Sequence, residues 1–333
     1  MNKRTRSSAK SKKSRVVSPP EPAAQSGSLH SETYFGPQRA FWWNADFLEL
    51  LANRWRLFDV ASVVVDVGCG IGHWSCLIYR HVRPGTRLIC VDKEAAWPTK
   101  AIQRFSQLYS SITGSQASGL VGDATCLPLH DNSADLVTCQ TLLVHVADPA
   151  GAVREMQRIA KPGGLVVCAE PNNLFGAVVA DCFTASLSTE DLVDNYEFWL
   201  RYERGKAALG LGNNSIGDLL PSIFAQVGLE DVSVYLSDKT NPLLPPYSTD
   251  EQKALLAQEK EWEQSRSGPW DHDELKKYVY AGGGSQLMID NYLRLAKERA
   301  NLKQVAISDE RYCDAGAAVM YVVSGRKHPM ACS

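Results

Sequence analysis

One acidic residue and three glycines lie at alternate positions between 63 and 72. An apolar run that begins at Val63 leads into Asp66, and Gly68, Gly70 and Gly72 follow at alternate positions. Glycines at the end of a buried strand let the backbone approach a ligand closely. A carboxylate two positions before the first glycine would repel a diphosphate and attract an ammonium group. The segment therefore predicts a binding site for a ligand with an amino acid moiety.

Two further acids follow the next two apolar runs of the chain. Asp92 ends the run that begins at Arg87, where a carboxylate can accept hydrogen bonds from ribose hydroxyls. Asp123 lies between Gly122 and Ala124, and an acid beside a small residue can accept a hydrogen bond from the adenine amino group while leaving room for the ring. Together with the glycine loop, these acids predict an adenosine-containing ligand.

Nicotinamide and flavin enzymes use a related glycine loop and are the main alternative. Their fingerprint requires glycine at the first, third and sixth positions of the loop. Gly68 and Gly70 satisfy the first two positions, but His73 occupies the sixth. Asp92 does not discriminate, because NAD also carries a ribose. The substitution at His73, together with Asp66 and Asp123, favours S-adenosylmethionine (SAM).

The segments that must position these residues alternate between strand and helix patterns. Predicted strands cover 62–67, 87–91, 119–122, 134–138, 165–169, 232–236 and 317–323, and predicted helices cover 74–82, 100–110, 150–160 and 215–227. Helical patterns also run from 178 to 209 and through most of 248–305. Repeated strand–helix order predicts an α/β fold, with a parallel sheet and helices on both faces.

Further motifs make the chain similar to a known family. They are Leu127-Pro128-Leu129, Asp135-Leu136-Val137-Thr138, His145-Val146-Ala147-Asp148-Pro149 and Lys161-Pro162-Gly163-Gly164. Over about residues 58–175 and the last two strands, the sequence resembles the class I SAM-dependent methyltransferases of type 11, particularly the ubiquinone- and menaquinone-biosynthesis enzymes. The resemblance implies a Rossmann-like, seven-stranded methyltransferase sheet that ends in an antiparallel strand pair, with SAM as the cofactor.

The resemblance also assigns parts of the cofactor to residues of this chain. It implies that Asp66, Gly68 and Gly70 line the methionine part of SAM and that Asp92 holds the ribose. It further implies that Asp123 and Ala124 frame the adenine and that Gln140 lies beside the transferred methyl group. Cys69 and Lys93, which neighbour these residues in sequence, complete the predicted cofactor-binding set.

His145 is the candidate catalytic residue. Methyl transfer from a sulfonium is an in-line displacement that depends mainly on positioning and on exclusion of water, and it needs a base only when the nucleophile carries a proton. The reference pKa of histidine is close to neutral, and His145 follows the fourth strand, where such folds open to substrate. The alternative is a structural histidine. Gln140-Thr141-Leu142-Leu143 lacks the Pro-Pro-Tyr motif of related enzymes that methylate amide or adenine nitrogen.

The domain plan adds helical caps to this core. The predicted parts are a disordered basic tail 1–28, N-terminal cap helices 29–57, the SAM-binding core 58–172, a lid insertion 173–214, a core helix and strand 215–237, a helical lid insertion 238–312 and a final core strand 313–326. Candidate contacts for a flat substrate or the sulfonium are Tyr34, Arg39, Trp42 and Trp43 in the cap, and Trp199, Arg201, Tyr202, Trp262, Trp270 and Tyr278 in the lid. Gly282-Gly283-Gly284 is interpreted as a flexible hinge or, alternatively, an anion seat.

Composition and charge restrict the partners. Residues 1–15 carry seven Lys or Arg and no acid, whereas the remaining chain holds 28 basic and 37 acidic residues, a charge of −9. An acidic body disfavours a nucleic-acid partner, apart from the basic tail, which is read either as a solvated tail or as a targeting or nucleic-acid-binding arm. No apolar run is long enough for a membrane span, and no secretory signal is recognised, so a cytoplasmic protein is expected.

Nine cysteines without a Cys-x-x-Cys pair indicate buried thiols in a reducing compartment and no structural zinc, and no metal is expected at the active site. The leading hypothesis is methyl transfer to O, N or C of a small molecule. The alternatives are a protein or nucleic-acid acceptor, suggested by the basic tail alone, and a non-catalytic SAM-binding regulatory protein.

Overall fold

A computed structural model describes residues 39, 41–112, 114–264, 272–316 and 319–329, with 261–264 described as backbone only. The predicted tail 1–28, the start of the predicted cap, Tyr34, the Trp262 side chain and Trp270 lie outside these residues.

Seven strands of the described chain form one mixed sheet. They are β1 (Val63–Val67), β2 (Arg87–Asp92), β3 (Gln116–Val121), β4 (Ala134–Gln140), β5 (Ala160–Pro171), β6 (Glu230–Leu236) and β7 (Met320–Arg326). Their order is β3-β2-β1-β4-β5-β7-β6. Neighbouring strands from β3 to β5 are parallel, and β7 runs antiparallel to both β5 and β6. This topology confirms the predicted Rossmann-like, seven-stranded α/β fold.

Helices flank the sheet and extend beyond it. They are α1 (Ala45–Trp55), α2 (Leu57–Val60), α3 (His73–Tyr79), α4 (Ala96–Tyr109), α5 (Pro149–Ile159), α6 (Thr189–Ala208), α7 (Leu220–Val227), α8 (Asp250–Gln264), α9 (His272–Ala281) and α10 (Gln286–Ser308).

Both faces of the central strands are buried, as their continuous apolar sequences predict. Val64 belongs to a core cluster that includes side chains of α1, α3 and α4. Val65 and Val67 belong to a second cluster that includes side chains of α5 and α7. Side chains alternate along a strand, so β1 supplies apolar groups to both layers and sits at the centre of the fold.

Two helix predictions were wrong in extent. The predicted helical segment 178–209 becomes helical only from Thr189, because the Ser188 side chain accepts a hydrogen bond from the Asp191 N–H and caps α6. The predicted helix 215–227 likewise starts with a 3-10 turn at Gly217–Leu219, and α7 proper begins at Leu220.

The predicted final strand 317–323 is displaced to 320–326 in the structure, where β7 pairs with β5 from Pro171 back to Leu165. The apolar residues at the start of the predicted segment led to a strand position that is too early. Hydrogen bonding with β5 determines the observed position.

A buried carboxylate at the end of β5 holds the turn that follows β4. Glu170 Oε1 accepts hydrogen bonds from the N–H groups of Leu142 (2.9 Å) and Leu143 (2.8 Å), and Oε2 accepts one from Val144 (3.4 Å). Thr141 enters this turn with φ at 51°, in the left-handed region. Burial raises the pKa of Glu170 to about 7, although the three N–H donors oppose the shift.

Glu170→Gln should remove a pH dependence of stability. The folded-state pKa of Glu170 lies above its unfolded value, so the folded chain binds the extra proton and the wild type loses stability as pH rises. Between pH 4.5 and 7 we expect the unfolding free energy of the wild type to fall by about 3 kcal/mol relative to the variant. Urea denaturation of both proteins across this range measures the difference. A constant difference would contradict the buried, proton-binding carboxylate.

Candidate active site

The predicted cofactor residues gather where β1, β2, β3 and β4 end along one edge of the sheet. In the strand order, β1 lies between β2 and β4, so the chain leaves β1 at the point where the order reverses. Ligands of open α/β sheets bind outside the carboxyl ends of the strands at such a switch point.

The glycine loop has a backbone shape that needs glycine. Gly68, Gly70 and Gly72 have φ values of 69°, 49° and 79°. The N–H groups of Gly68 and Cys69 both donate to the carbonyl oxygen of Val91, at 2.8 and 3.0 Å. A Cβ at Gly68 would approach the side chain of Leu142 to 2.6 Å. The loop is thus held tightly between the end of β2 and the turn after β4.

Asp92 joins the loop to β2. Its Oδ2 accepts a hydrogen bond from the Gly70 N–H at 2.9 Å, and its Oδ1 accepts one from the Glu94 N–H at 3.1 Å. Burial raises the pKa of Asp92, while these N–H donors oppose the shift. A carboxylate has about four lone-pair sites, so both oxygens retain acceptor capacity for hydroxyl groups of a ligand.

Asp66 lies beneath the loop with one oxygen unpaired. The Ser75 hydroxyl donates to Oδ2. Oδ1 is buried and has no hydrogen-bond partner among the described residues. Burial raises the pKa of Asp66 to about 7, and the neighbouring Asp92 charge adds to the shift. A buried acceptor without a donor is costly, so this oxygen is suited to a ligand that brings an N–H group.

Arg39 lies close to Asp66. Its Nη2 donates to the Thr141 hydroxyl at 3.0 Å, and its guanidinium lies 4.6 Å from the ring centroid of Trp42. Burial lowers the pKa of Arg39 to about 10, and the attraction of Asp66 opposes the shift. The sequence indicated Arg39 as a member of an aromatic cap; its position beside the ends of β1 and β4 comes from the fold.

Asp123 and Ala124 follow β3 at the far side of the same edge. Asp123 Oδ1 accepts hydrogen bonds from the Thr125 N–H (2.8 Å) and hydroxyl (2.6 Å), and these bonds lower its pKa. Oδ2 lies 3.6 Å from the ammonium of Lys93, in an exposed pair. Ala124 is buried. The structure thus brings Lys93 and Asp123 together at the end of β2 and β3.

Gln140 and Cys69 are both buried at this edge. Gln140 is the last residue of β4, and its main-chain carbonyl oxygen accepts a hydrogen bond from the Thr141 hydroxyl at 2.8 Å. A hydrogen bond with Cys90 and burial raise the pKa of the Cys69 thiol, so it remains protonated. Cys69 therefore contributes its backbone and shape to the loop rather than a reactive thiolate.

His145 is exposed at the end of a 3-10 turn, Leu143–His145, directly after the segment held by Glu170. A Cβ at Gly212 would collide with the backbone of Val144 and His145. The chain that leaves α6 therefore passes directly over this turn, at the junction of the core and the lid.

A buried polar cluster fastens α6, in the predicted lid insertion, to this turn. The Lys206 ammonium donates to the Val144 carbonyl at 3.0 Å and to the Asn214 side chain. Glu203 Oε2 accepts a hydrogen bond from the Asn214 N–H at 2.9 Å. Burial raises the pKa of Glu203 and lowers that of Lys206, while their mutual attraction opposes both shifts. Spacing gave no signal for this cluster, because its charges look like ordinary helix-surface residues.

The predicted aromatic pocket of the lid is only partly realised. Tyr202 and Tyr278 are buried in a separate lid core with Phe198 rather than exposed to a pocket. Arg201 forms an ion pair with Glu197 at 2.6 Å. Tyr202 and Tyr278 stabilise the packing of α6 against α9, and Arg201 pairs with Glu197, so these side chains do not line a pocket.

The glycines at 282–284 pack closely, contrary to the predicted hinge. A Cβ at Gly282 would collide with the Arg201 carbonyl. Arg201 Nη1 also donates to the Gly283 carbonyl at 2.7 Å. The segment lies where α6 and α9 cross and lets them approach closely. Its carbonyl oxygens face the guanidinium of Arg201 rather than an anion.

A cavity of about 390 Å³ lies between the end of β5 and the lid. Trp199 lines it, as predicted, with Tyr292 of α10 and Leu174. Asp181 and Arg299 add charged groups to the wall. The volume is within the range of small-molecule sites, which combine apolar walls with a few polar groups.

The described residues show neither a metal-binding cluster nor a membrane-spanning helix. They contain no group of three or more potential metal-ligating side chains. Their helices include none that is both long and apolar enough to span a membrane.

Comparisons with known proteins point to one family. The model of a methyltransferase domain matches residues 65–168. An uncharacterised methyltransferase of Schizosaccharomyces pombe is 32% identical over 117 residues, which cover 34% of this chain and 42% of that protein. The demethylmenaquinone methyltransferase of Staphylococcus aureus is 34% identical over 108 residues, which cover 32% and 42%. The chain thus spans less than half the length of these curated relatives.

Among solved structures, a Haemonchus contortus phosphoethanolamine N-methyltransferase 2 in complex with phosphomonomethylethanolamine and S-adenosylhomocysteine is 16% identical. It covers 86% of this chain and 53% of its own, with a TM-score of 0.41. The family match covers the glycine loop together with Asp92, Asp123 and Gln140. The chain therefore carries a methyltransferase domain of the class I SAM-dependent superfamily.

Proposed function

We propose that this chain binds SAM at the edge formed by β1 to β4 and transfers its methyl group to a small molecule held beneath the lid. The observation that carries the proposal is the hydrogen bond between the Gly70 N–H and Asp92 Oδ2. It joins the glycine loop to the acid at the end of β2, so that an amino acid moiety and a ribose would be bound side by side.

The residues present suit the parts of SAM. The unpaired Oδ1 of Asp66 would accept a hydrogen bond from the ammonium group, and the Arg39 guanidinium would pair with the carboxylate. Asp92, beside Lys93, would hold the ribose hydroxyls. Asp123 would accept from the adenine amino group.

Positioning would supply most of the catalysis. When bound, SAM supplies a methyl group on a positively charged sulfur, which is an intrinsically reactive electrophile. Gln140 at the end of β4 and the turn held by Glu170 would align the acceptor with that methyl group and exclude water. His145 would take the proton of an acceptor that carries one.

The lid supports a small-molecule acceptor. The cavity has room for a molecule of drug-like size, and Trp199 and Tyr292 offer flat apolar surface. Asp181 and Arg299 provide groups that could orient polar substituents. Asn173, in the 3-10 turn after β5, also lines the cavity and would connect it with the methyl-transfer edge.

The first experiment measures SAM binding and methyl transfer. Isothermal titration should give saturable binding of SAM and S-adenosylhomocysteine. Incubation with methyl-labelled SAM and fractionated small metabolites should place label in a low-molecular-weight product. Absence of SAM binding would refute the proposal, and label found instead on protein or nucleic acid would refute the small-molecule acceptor.

Asp92→Asn should weaken binding of every ligand that carries the ribose. The amide keeps the shape but loses the charge that strengthens hydroxyl donation, so we expect the Kd for SAM to rise about 10- to 100-fold. Methylthioadenosine, which lacks the amino acid moiety, should lose a similar factor. Asp59→Asn, which changes an exposed acid of α2, is the control. Unchanged affinity for methylthioadenosine would contradict the ribose assignment.

Arg39→Met should weaken the binding of SAM but not the binding of methylthioadenosine. Loss of the guanidinium should raise the Kd for SAM about tenfold or more and leave the Kd for methylthioadenosine unchanged, because only SAM carries the carboxylate. Arg54→Met removes another arginine that lies over an aromatic ring, Tyr235, and should affect neither ligand. Equal weakening of both ligands in the Arg39 variant would show that Arg39 only stabilises the loop.

His145→Gln tests the proposed base. With the labelled acceptor in hand, we expect kcat to fall about 10²-fold or more, with the SAM Kd unchanged. The acidic limb of the kcat–pH profile should disappear. A profile that keeps this limb would assign His145 a structural role.

A further inference from the structure

Two exposed cysteines from distant parts of the chain lie against one another at the base of the lid. The Cys182 N–H donates to the Cys313 carbonyl at 3.2 Å, and the Cys313 N–H points to Cys182 Sγ at 3.4 Å. They are 131 positions apart, so the fold alone creates this pair. Neither cysteine takes part in the proposed SAM site.

The backbone spacing suits a disulfide. One main-chain hydrogen bond and one N–H···S contact join the two residues, so their Cα atoms lie close together. Disulfides span Cα distances of about 4.4–6.8 Å. Cys182 Sγ already approaches the main chain of Cys313. A bond between the two sulfurs would therefore need side-chain rotation rather than movement of the fold.

Neighbouring contacts hold the two segments in place. The Tyr312 hydroxyl donates to Asp181 Oδ2 at 3.0 Å. This hydrogen bond joins the residue before Cys313 to the residue before Cys182. Asp314 exchanges two backbone hydrogen bonds with Leu243, at 2.8 and 2.9 Å. The cysteines are thus pre-positioned by noncovalent contacts, while their exposure leaves them accessible to a reagent.

We propose that Cys182 and Cys313 form a redox modification site that closes to an intramolecular disulfide. The oxidant is a small-molecule disulfide such as glutathione disulfide. One cysteine thiolate attacks a sulfur of the oxidant and releases one thiolate, leaving a mixed disulfide. The second cysteine thiolate attacks the protein sulfur and releases the other. Two protein thiols are oxidised, the oxidant is reduced to two thiols, and the protein's two protons pass to these products.

The disulfide would restrict movement of the walls of the cavity beneath the lid. Asp181 and Thr184, on one segment, and Asp314, on the other, all line that cavity. A covalent bond between 182 and 313 fixes these two parts of the wall relative to one another. It also closes a loop that contains α6 to α10, so it restricts opening of the whole lid.

The test uses the full chain with the other exposed cysteine of the described residues, Cys126, and Cys332, which lies outside them, changed to serine. The C126S/C332S protein is incubated with glutathione disulfide, alkylated and digested without reductant. We expect a cross-linked peptide pair containing Cys182 and Cys313, at two hydrogens below the sum of the free peptides, and its loss on treatment with dithiothreitol.

Single variants provide the matched controls. Adding C182S or C313S to this background should abolish the cross-link and leave a glutathione adduct on the remaining cysteine. The thermal midpoint of the oxidised parent should rise by about 5 °C and return on reduction, whereas the single variants should not respond. Glutathione adducts that persist on both cysteines, or an unchanged midpoint after oxidation, would overturn the proposal. None of these measurements depends on methyl transfer.

Discussion

The carboxylate of Glu170 determines how the two halves of the site meet. Its three backbone hydrogen bonds hold the turn after β4, which presents Leu142 to the glycine loop and the Val144 carbonyl to the lid. Without these bonds the N–H groups of the turn would be buried and unpaired, which is costly. One acid thus positions the floor of the proposed SAM site and the attachment point of the lid.

The proposed lid has a small hydrophobic core of its own. Phe198, Tyr202 and Tyr278 form its core, and Gly205 and Gly282 permit close approach of its helices. A buried polar cluster around Lys206 links it to the turn after β4. Such a cluster is specific in geometry because each polar group needs its partner. In the proposed function, this packing would leave the cavity beneath these helices open to a ligand.

Sequence patterns predicted the parts whose chemistry is local. The apolar runs that end in glycine or acid identified most strands closely, since buried parallel strands have few other compositions. The positive φ values at Gly68, Gly70 and Gly72 agree with the conformational role inferred for these glycines. Helix limits in the first insertion were less accurate, because the Ser188 cap decides where α6 begins. Aromatic residues of the lid could not be divided between core and pocket by periodicity alone.

The sequence by itself determined the sheet, the glycine loop and the acids at the ends of β2 and β3, because each depends on residues close in the chain. The tertiary structure alone decided that Glu170 holds the β4 turn, that Arg39 reaches Thr141 beside Asp66, and that Cys182 meets Cys313. These contacts join segments between about 30 and 130 positions apart. Their partners are chosen by how the layers pack, and burial then changes the charge and proton affinity of the groups involved.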